Sequence, residues 1–422
     1  MRIDQIELHN FRNFEQQTFR FPSLFTVVIG ENGKGKSTLL QALRLMVGTV
    51  FSAFTETKPI YIQSEDVRRI ELENRFAPQL PAEIRASGSL KNQPIDWERI
   101  KRSFNGESSG SRNLHAILSS LEKQINTQLI DDVDLPVLAF FSTARIGIEP
   151  KKDVPLKTKG SKIADGYEGC LDAQPNKDRA FSWIKSNYYK SLKGQNDRLL
   201  KAVLDAISQC VPNWTAVEWD EDSDDLLGIY RHEDGSETRM PLYYLSDGLR
   251  TMASMAAEIA YRCVILNDQL GSEAVKQSAG IVLIDELDIH LHPNWQRHVV
   301  RDLKAAFPNI QFVATTHSPF IVQSLDSSEL INLDMATDLQ PKDLSVDEVS
   351  EAIMGVDSPY SIENQQAENV STAYFQKLDD LGKEPEKKQS LFDELNQMEA
   401  KISDPAMRAL LQMKRLEQTV KH

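Results

Sequence analysis

Cysteine is scarce in these 422 residues: Cys170, Cys210 and Cys263 are the only three, far apart and in no C-x-x-C pair. That spacing excludes a disulfide framework and a zinc ribbon, and points to reduced, structural thiols. No apolar run reaches the roughly 18 residues that a membrane-spanning helix needs. The N-terminus, "MRIDQIELHNFRNF", alternates polar and apolar residues as a first strand does, with no apolar stretch behind basic residues. The expectation is a soluble, cytoplasmic chain with no membrane partner. Positive charge is in deficit as well, with 48 Lys and Arg against 62 Asp and Glu, a formal net charge of −14. Such a balance argues against a chain coated with nucleic acid, because non-specific duplex binding needs clustered cations that release counterions. The local exception is "EPKKDVPLKTKGSK", where Lys151, Lys152, Lys157, Lys159 and Lys162 gather; it reads as a solvated loop over 149–165. Internal repeats and low-complexity tracts are absent too.

What is present is a globular composition, 41 % hydrophobic, in a chain long enough for two or three units. Residues 1 to about 50 read as two strands, Ile3–Leu8 and Phe19–Ile29, a glycine loop, and the helix "KSTLLQALRLMVGTV". Short alternating runs over 59–104, broken by Gly, Pro and Asn, predict a small antiparallel sheet. A helix over about 112–130 leads to "LPVLAFFSTARI", an apolar run suited to a strand buried on both faces. An irregular segment over 149–180, helical text over 180–210 and two or three strands up to Pro241 follow. Then α and β alternate strictly: helix 247–267, strand "GIVLIDE", helix 294–306, strand "IQFVATT", and a helix from Pro319. Alternation of this kind predicts an α/β fold with a parallel sheet and ligands at the strands' carboxyl ends. The expected organisation is a head over 1–340, comprising the 59–104 subdomain, an insertion or helical lobe over 107–240 and a second half over 241–340. A helical region over 341–422 completes it. There, "SLFDELNQMEAKI" puts Leu391, Leu395, Met398 and Ile402 on one stripe, and Asp404 and Pro405 read as the start of the last helix. The stripe must be buried, either on the chain's own core or against a partner or sister subunit.

The chemistry begins in "VVIGENGKGKSTLL", Val27 to Leu40. Gly30 to Ser37 satisfies G-x-x-x-x-G-K-[ST] between a strand and a helix, the context this pattern requires. Glycines let the backbone wrap close to phosphates, so that Asn32, Gly33, Gly35 and Thr38 share the cradle, Lys36 reaches the β- and γ-phosphates, and Ser37 ligates Mg²⁺. The stretch therefore holds a nucleoside triphosphate. In "IVLIDELDIHLHP" an apolar strand ends in Asp285 and Glu286, suited to organising a magnesium shell and polarising the attacking water. "LSDGLR", Leu245 to Arg250, heads a helix, with Ser246 at the N-cap and Gly248 leaving N–H groups open to an anion. A further strand, "FVATTHSP", ends at His317.

Together these motifs resemble the ABC-type ATPases of the RecF, SMC and OLD kind, strongly over about 1–55 and 240–335. The resemblance implies a P-loop head with a parallel-sheet core, an antiparallel β subdomain and a helical insertion, using ATP and Mg²⁺. It makes Lys36 and Ser37 the phosphate and magnesium ligands, Asp285 the magnesium-shell acid and Glu286 the general base. His317 becomes the switch histidine, Asp288 the D-loop acid, Arg12 in "NFRNF" the basic residue near the nucleotide, and Gln63 in "YIQSEDVRR" the Q-loop glutamine at the metal. Ser246 and Gly248 would cap the γ-phosphate held by another copy, giving composite sites in a homodimer or higher homo-oligomer. Arg145, ending "FFSTAR", stands open between a nucleotide or partner contact and a structural ion pair. His290, His292 and His298 look like a metal set, but "HLHP" is how this family continues after its glutamate.

Transporters of the superfamily usually write LSGGQ, and SMC proteins insert hundreds of heptad residues, so both are excluded. OLD nucleases append a domain with clustered acids, which this tail lacks, so no nuclease site of its own is expected. The features "LPVLAFFSTAR", "PLYYLSDGLRTM", "DELDIHLHPNWQ" and "VDEVSEAIMGVDSP" are similar to the compact ATPases of Septu-type anti-phage systems. That resemblance implies a nucleotide-sensing ATPase regulating an HNH-type nuclease subunit in trans, with DNA reached through that partner. Two other readings stay open: a RecF-like repair ATPase, and an oligomeric scaffold that binds ATP without turnover.

Overall fold

The computed structural model describes residues 1–72, 75–91, 93–106, 108–110, 112–126, 133–145, 161–173, 177–232, 234–358, 370–378, 388–402 and 405–421. Most of the 149–165 segment, with Lys151, Lys152, Lys157 and Lys159, lies outside them, as do Asp404 and the side chain of Leu391. The chain opens with strand β1 (Arg2–Phe11), which pairs antiparallel with β2 (Phe14–Arg20). The expected single strand Phe19–Ile29 is two. Pro22 cannot donate to a ladder, the carbonyls of Phe21 and Pro22 accept from the Arg2 guanidinium at 3.3 and 3.0 Å, and β3 (Phe25–Ile29) starts afresh in a different sheet. After helix α1 (Lys36–Val47) come a hairpin of β4 (Arg69–Leu72) and β5 (Arg75–Pro78), then β6 (Ala82–Leu90), β7 (Gln93–Lys101) and β8 (Ser109–Gly110). An antiparallel sheet in the order β2-β1-β6-β7-β8 results.

Helix α2 (Arg112–Asn126) precedes β9 (Val137–Phe141); α3 (Lys162–Tyr167) forms inside the stretch expected to be irregular, its Ser161 N-cap accepting from the Ala164 N–H, and the helical text beyond it gives α4 (Lys177–Leu192) and α5 (Arg198–Cys210). Gly194, at φ 76°, separates the last two. A three-stranded antiparallel sheet of β10 (Trp214–Asp220), β11 (Asp225–Arg231) and β12 (Glu237–Pro241) leads into α6 (Asp247–Leu266). The run "TMASMAAEIAYRCV" in α6 is buried throughout, small residues allowing neighbours to approach from every side. Its one buried ion pair, Arg262 to Glu258 at 2.7 Å, is supported by an Arg262 bond to the Gly166 carbonyl at 2.6 Å. A pair so desolvated needs those additional bonds.

Strands β13 (Gly280–Ile284), β14 (Ile310–Thr315) and β15 (Leu330–Asn332) complete a parallel sheet in the order β15-β3-β14-β13-β9. Every residue of β3, β9, β13 and β14 is buried, as unbroken apolar runs covered on both faces should be. The expected helix 294–306 is split into Pro293–Gln296 and Val299–Ala306. Parallel register puts Ile284 of β13 opposite Phe141 of β9 and Ala314 of β14, so three strands end at one level beside the loop after β3.

The chain divides into two compact units, Met1–Val349 and Ser350–His422. In the second, a helical stretch over 370–378 and helices Lys388–Lys401 and Pro405–Lys421, the last with Pro405 at its first position, enclose a small core. Tyr374, Leu378, Leu395, Ile402 and Leu411 are buried in it, with Met398 and Phe392 packed alongside. Tyr374 donates to Glu399 at 2.5 Å and also reaches the Leu411 carbonyl at 3.3 Å. Of the stripe identified in the sequence, Leu395, Met398 and Ile402 thus pack among the unit's own helices. Leu395→Ala should destabilise this unit by about 2–5 kcal/mol, seen as lost amide protection over 388–421 in hydrogen exchange. Unchanged protection would mean that Leu395 does not anchor the core.

Candidate functional site

Buried β3 delivers the chain into Gly30–Ser37, and Gly35 (φ 108°, ψ 17°) forms the N-cap of α1. A Cβ at Gly35 would lie 2.5 Å from the Phe14 ring and 2.7 Å from Asn13 Nδ2, so both backbone and space demand glycine. Lys36 is buried, and its ammonium donates to the carbonyls of Gly30 at 2.6 Å and Glu31 at 3.0 Å, folding over the mouth of the loop. Desolvation lowers its pKa below the usual lysine value, against the upward pull of Asp334, Glu286 and Asp285. Asn32 and Gly33 are exposed, the Gly33 carbonyl accepting from Asn13 at 3.4 Å, and Thr38 is half-buried.

Asp334 is a residue the sequence reading missed. It accepts the Glu31 N–H at 2.7 Å and lies 3.2 Å from the Lys34 ammonium, closing the loop from the far side. Only the pairing of β15 with β3, Asn332 opposite Ile29, brings it there, and a three-residue strand has no periodicity to detect.

At the end of β13, the Asp285 N–H donates to the Phe141 carbonyl at 2.8 Å. The Thr315 hydroxyl donates to Asp285 Oδ1 at 2.7 Å and accepts from the Glu286 N–H at 2.8 Å. Glu286 adopts φ 51°, a left-handed conformation uncommon for a side-chain-bearing residue. Next to it, Asp288 Oδ1 accepts from the Thr316 hydroxyl at 2.5 Å and from the His317 N–H at 3.3 Å, while His317 itself is exposed. Gln296, also missed, donates to the carbonyls of Asp288 at 3.3 Å and Leu291 at 2.8 Å, and the Ser318 hydroxyl holds it at 2.6 Å. Across the cleft, the Ser37 hydroxyl donates to Asp285 Oδ2 at 3.4 Å. A hydroxyl and a carboxylate converging from loop and strand are hard oxygen donors of the kind Mg²⁺ takes beside a phosphate.

Arg145 is buried, and its guanidinium donates to the carbonyls of Ser142 at 3.0 Å, Asp285 at 2.5 Å and Glu286 at 2.6 Å. Burial pushes its pKa down to about 10, countered by the charges of Asp285, Asp288 and Glu286, so it stays cationic at neutral pH.

The "LSDGLR" segment approaches from α6. Ser246 occupies the N-cap position in extended conformation (φ −60°, ψ 155°), but its exposed hydroxyl makes no capping bond, in contrast to the expected cap. Gly248 is pressed against the loop after Glu286: a Cβ there would sit 2.2 Å from the His290 carbonyl. Two expected residues are engaged elsewhere. Arg12 binds the buried Asp66 through Nε at 2.8 Å and Nη2 at 2.7 Å. Gln63 is exposed, donating through its side chain to the Tyr61 carbonyl at 3.0 Å and through its N–H to Asp66 at 3.0 Å. His292 accepts from the Asn294 N–H at 3.3 Å and caps a helix.

Residues 5–209 match the model of an AAA domain, and residues 170–323 match that of an AAA domain described as putative AbiEii toxin, type IV TA system. The chain is 27 % identical over 399 residues to the Retron Vc95 probable ATPase of Vibrio cholerae, covering 78 % of this chain and 73 % of that one. It is 35 % identical over 165 residues to the Septu protein PtuA of Bacillus thuringiensis, covering 32 % and 40 %. It is 21 % identical over 389 residues to the DNA replication and repair protein RecF of Gloeothece citriformis, covering 79 % and 98 %. None of the described helices is long and apolar enough to cross a membrane.

Thr315→Val keeps the shape of a fully buried residue but strips the bond from Asp285 and orphans the Glu286 N–H. The expected loss is about 1–3 kcal/mol of stability, measured by chemical denaturation; an unchanged midpoint would mean that the hydroxyl is dispensable.

Proposed function

We propose that this chain, an ABC-type ATPase near the Septu PtuA proteins, binds and hydrolyses ATP with Mg²⁺ as the nucleotide-sensing subunit of an anti-phage defence complex. The observation that carries the ATPase reading is the convergence of Ser37 and Asp285 at 3.4 Å, with Lys36 folded into the loop mouth and Glu286 one residue away. The relatives named Septu PtuA and retron ATPase support the defence context.

On this reading Lys36 leaves the Gly30 and Glu31 carbonyls for the β- and γ-phosphates, an exchange favoured because a partly desolvated ammonium gains more from an anion than from neutral dipoles. Ser37 and Asp285, with Gln63, would hold Mg²⁺, which would neutralise charge on the phosphate oxygens. Glu286 accepts the proton of the attacking water. Thr315 keeps Asp285 turned toward Ser37, and the exposed His317 acts as the switch that senses the γ-phosphate. Arg12 and Gln63 reach the nucleotide only by leaving Asp66 and Tyr61. The Ser246 hydroxyl, exposed and without a capping bond, and the N-terminus of α6 at Gly248 meet the γ-phosphate of a second copy. That makes the site composite, in a homodimer or higher homo-oligomer. An HNH-type nuclease subunit is the partner this reading implies, with any DNA contact through it. The apolar side chains Leu410, Met413 and Leu416, exposed on the last helix, are the surface this reading would assign to it.

A RecF-like repair role is the second reading, favoured by the match that spans nearly the whole RecF chain. It separates from the first by DNA stimulation of ATP turnover, against co-purification with a nuclease encoded nearby and a change in assembly size with ATP.

Lys36→Ala should abolish ATP binding in calorimetry, since Lys36 is the buried ammonium at the loop mouth; normal affinity would remove the phosphate-loop assignment. Glu286→Gln should retain ATP yet turn it over roughly 10²- to 10⁴-fold more slowly, accumulating a closed dimer on sizing columns. Turnover at the wild-type rate would place the base elsewhere.

A further inference from the structure

The sequence leaves Arg145 open between a nucleotide contact, a partner contact and an ion pair. The structure gives it different work. It is only 2 % exposed, which removes it from the reach of a phosphate or a docking surface. Three of its hydrogen bonds go to backbone: the guanidinium fork spans the consecutive carbonyls of Asp285 and Glu286, and returns to Ser142 just past the end of its own strand. We infer that Arg145 is a positioning residue for ATP hydrolysis, fixing the peptide from which Glu286 projects. The inference rests on the proposed role of Glu286 as general base.

Three features carry it. First, ladder pairing stops at Ile284, so the peptides of Asp285 and Glu286 need other anchors. Their N–H groups take the Phe141 carbonyl and the Thr315 hydroxyl, and Arg145 takes both carbonyls. Second, Glu286 sits at φ 51°, a conformation that persists in a non-glycine residue only where the surroundings hold it. Besides Arg145, the Glu286 carbonyl accepts from the Ile289 N–H at 3.1 Å, so the turn is pinned on both sides. Third, the planar two-pronged geometry of arginine suits two successive carbonyls, whereas a lysine ammonium is a point charge that cannot reproduce the fork. Arg145 also joins β9, an edge strand of the parallel sheet, to the acid pair at the end of β13, so a displacement of β9 is felt at Glu286.

The test compares Arg145→Lys and Arg145→Gln with the wild-type chain, measuring ATP turnover at saturation and Mg·ATP affinity by calorimetry. Because a base displaced by about an ångström can lose on the order of 100-fold in rate, turnover should fall roughly 10- to 100-fold in both variants, with ATP affinity held within about threefold. In a Glu286→Gln background, adding Arg145→Lys should change the residual rate by less than about twofold, since the orientation of an absent base no longer matters. Turnover of Arg145→Lys within about threefold of wild type overturns the positioning role, and so do parallel losses of affinity and rate or full additivity with Glu286→Gln. If Arg145→Gln does not fold, Arg145→Lys decides. A wild-type chain that does not turn ATP over defeats the ATPase reading and this inference with it, whereas active wild type with unaffected Arg145 variants defeats only the inference.

Discussion

One hydroxyl organises the centre of this molecule. Thr315, at the end of β14, donates to the Asp285 carboxylate and accepts from the Glu286 amide, so a single side chain sets the direction of one acid and the backbone of the next. It can do so because the parallel register brings β13 and β14 to an end at the same level. The sheet's buried apolar runs fix that level, and the acids inherit it. The phosphate-loop pattern faces the same edge from β3, which explains how Ser37 and Asp285, 248 residues apart in the chain, meet at 3.4 Å.

Charge is distributed around this edge in a way the net value of −14 conceals. Asp285, Glu286 and Asp288 lie within four consecutive positions, and without compensation they would repel one another and any phosphate. Two buried cations stand against them, Lys36 from the loop and Arg145 from beneath. Their environments differ. Lys36 is held by two carbonyls that a phosphate can replace, so its partners are exchangeable. Arg145 is held by three carbonyls of the protein's own framework, so its charge is permanent scaffolding. Within an acidic protein, the charges at this edge are thus locally balanced by cations from the loop and from the end of β9.

How much of this was legible beforehand depends on whether the signal lay in contiguous residues. "GENGKGKS" and "LIDE" each combine a strand with its chemistry in a few positions, so the loop, the acid pair and the parallel sheet could be read directly. Register-dependent contacts could not. Arg145 reaches Asp285 across 140 residues, and Asp334 reaches Glu31 across 303, with no local pattern to announce either. The strand expected over Phe19–Ile29 is two for a local reason, a break at Pro22 hidden inside an apolar stretch. Arg12 and Gln63 were assigned by family likeness alone, and here the buried Asp66 engages the guanidinium of one and the backbone of the other. The tail stripe was legible as a face needing burial; its partner, a core of the tail's own helices around Tyr374, was not.

The contact between Gly248 and the His290 carbonyl adds a mechanical consequence. The start of α6 and the loop that follows Glu286 are packed so closely that no side chain fits between them. That loop is in turn braced by Gln296 on the Asp288 and Leu291 carbonyls, and Asp288 is tied to Thr316 and His317. A rearrangement at His317 therefore has a continuous path of hydrogen bonds and hard contacts to the surface carrying Ser246. If that surface meets the nucleotide of a second copy, as proposed, the state of one site is felt at the next through this path rather than through a soft interior. Close packing makes such coupling stepwise: a bonded loop either keeps its register against α6 or loses several hydrogen bonds together.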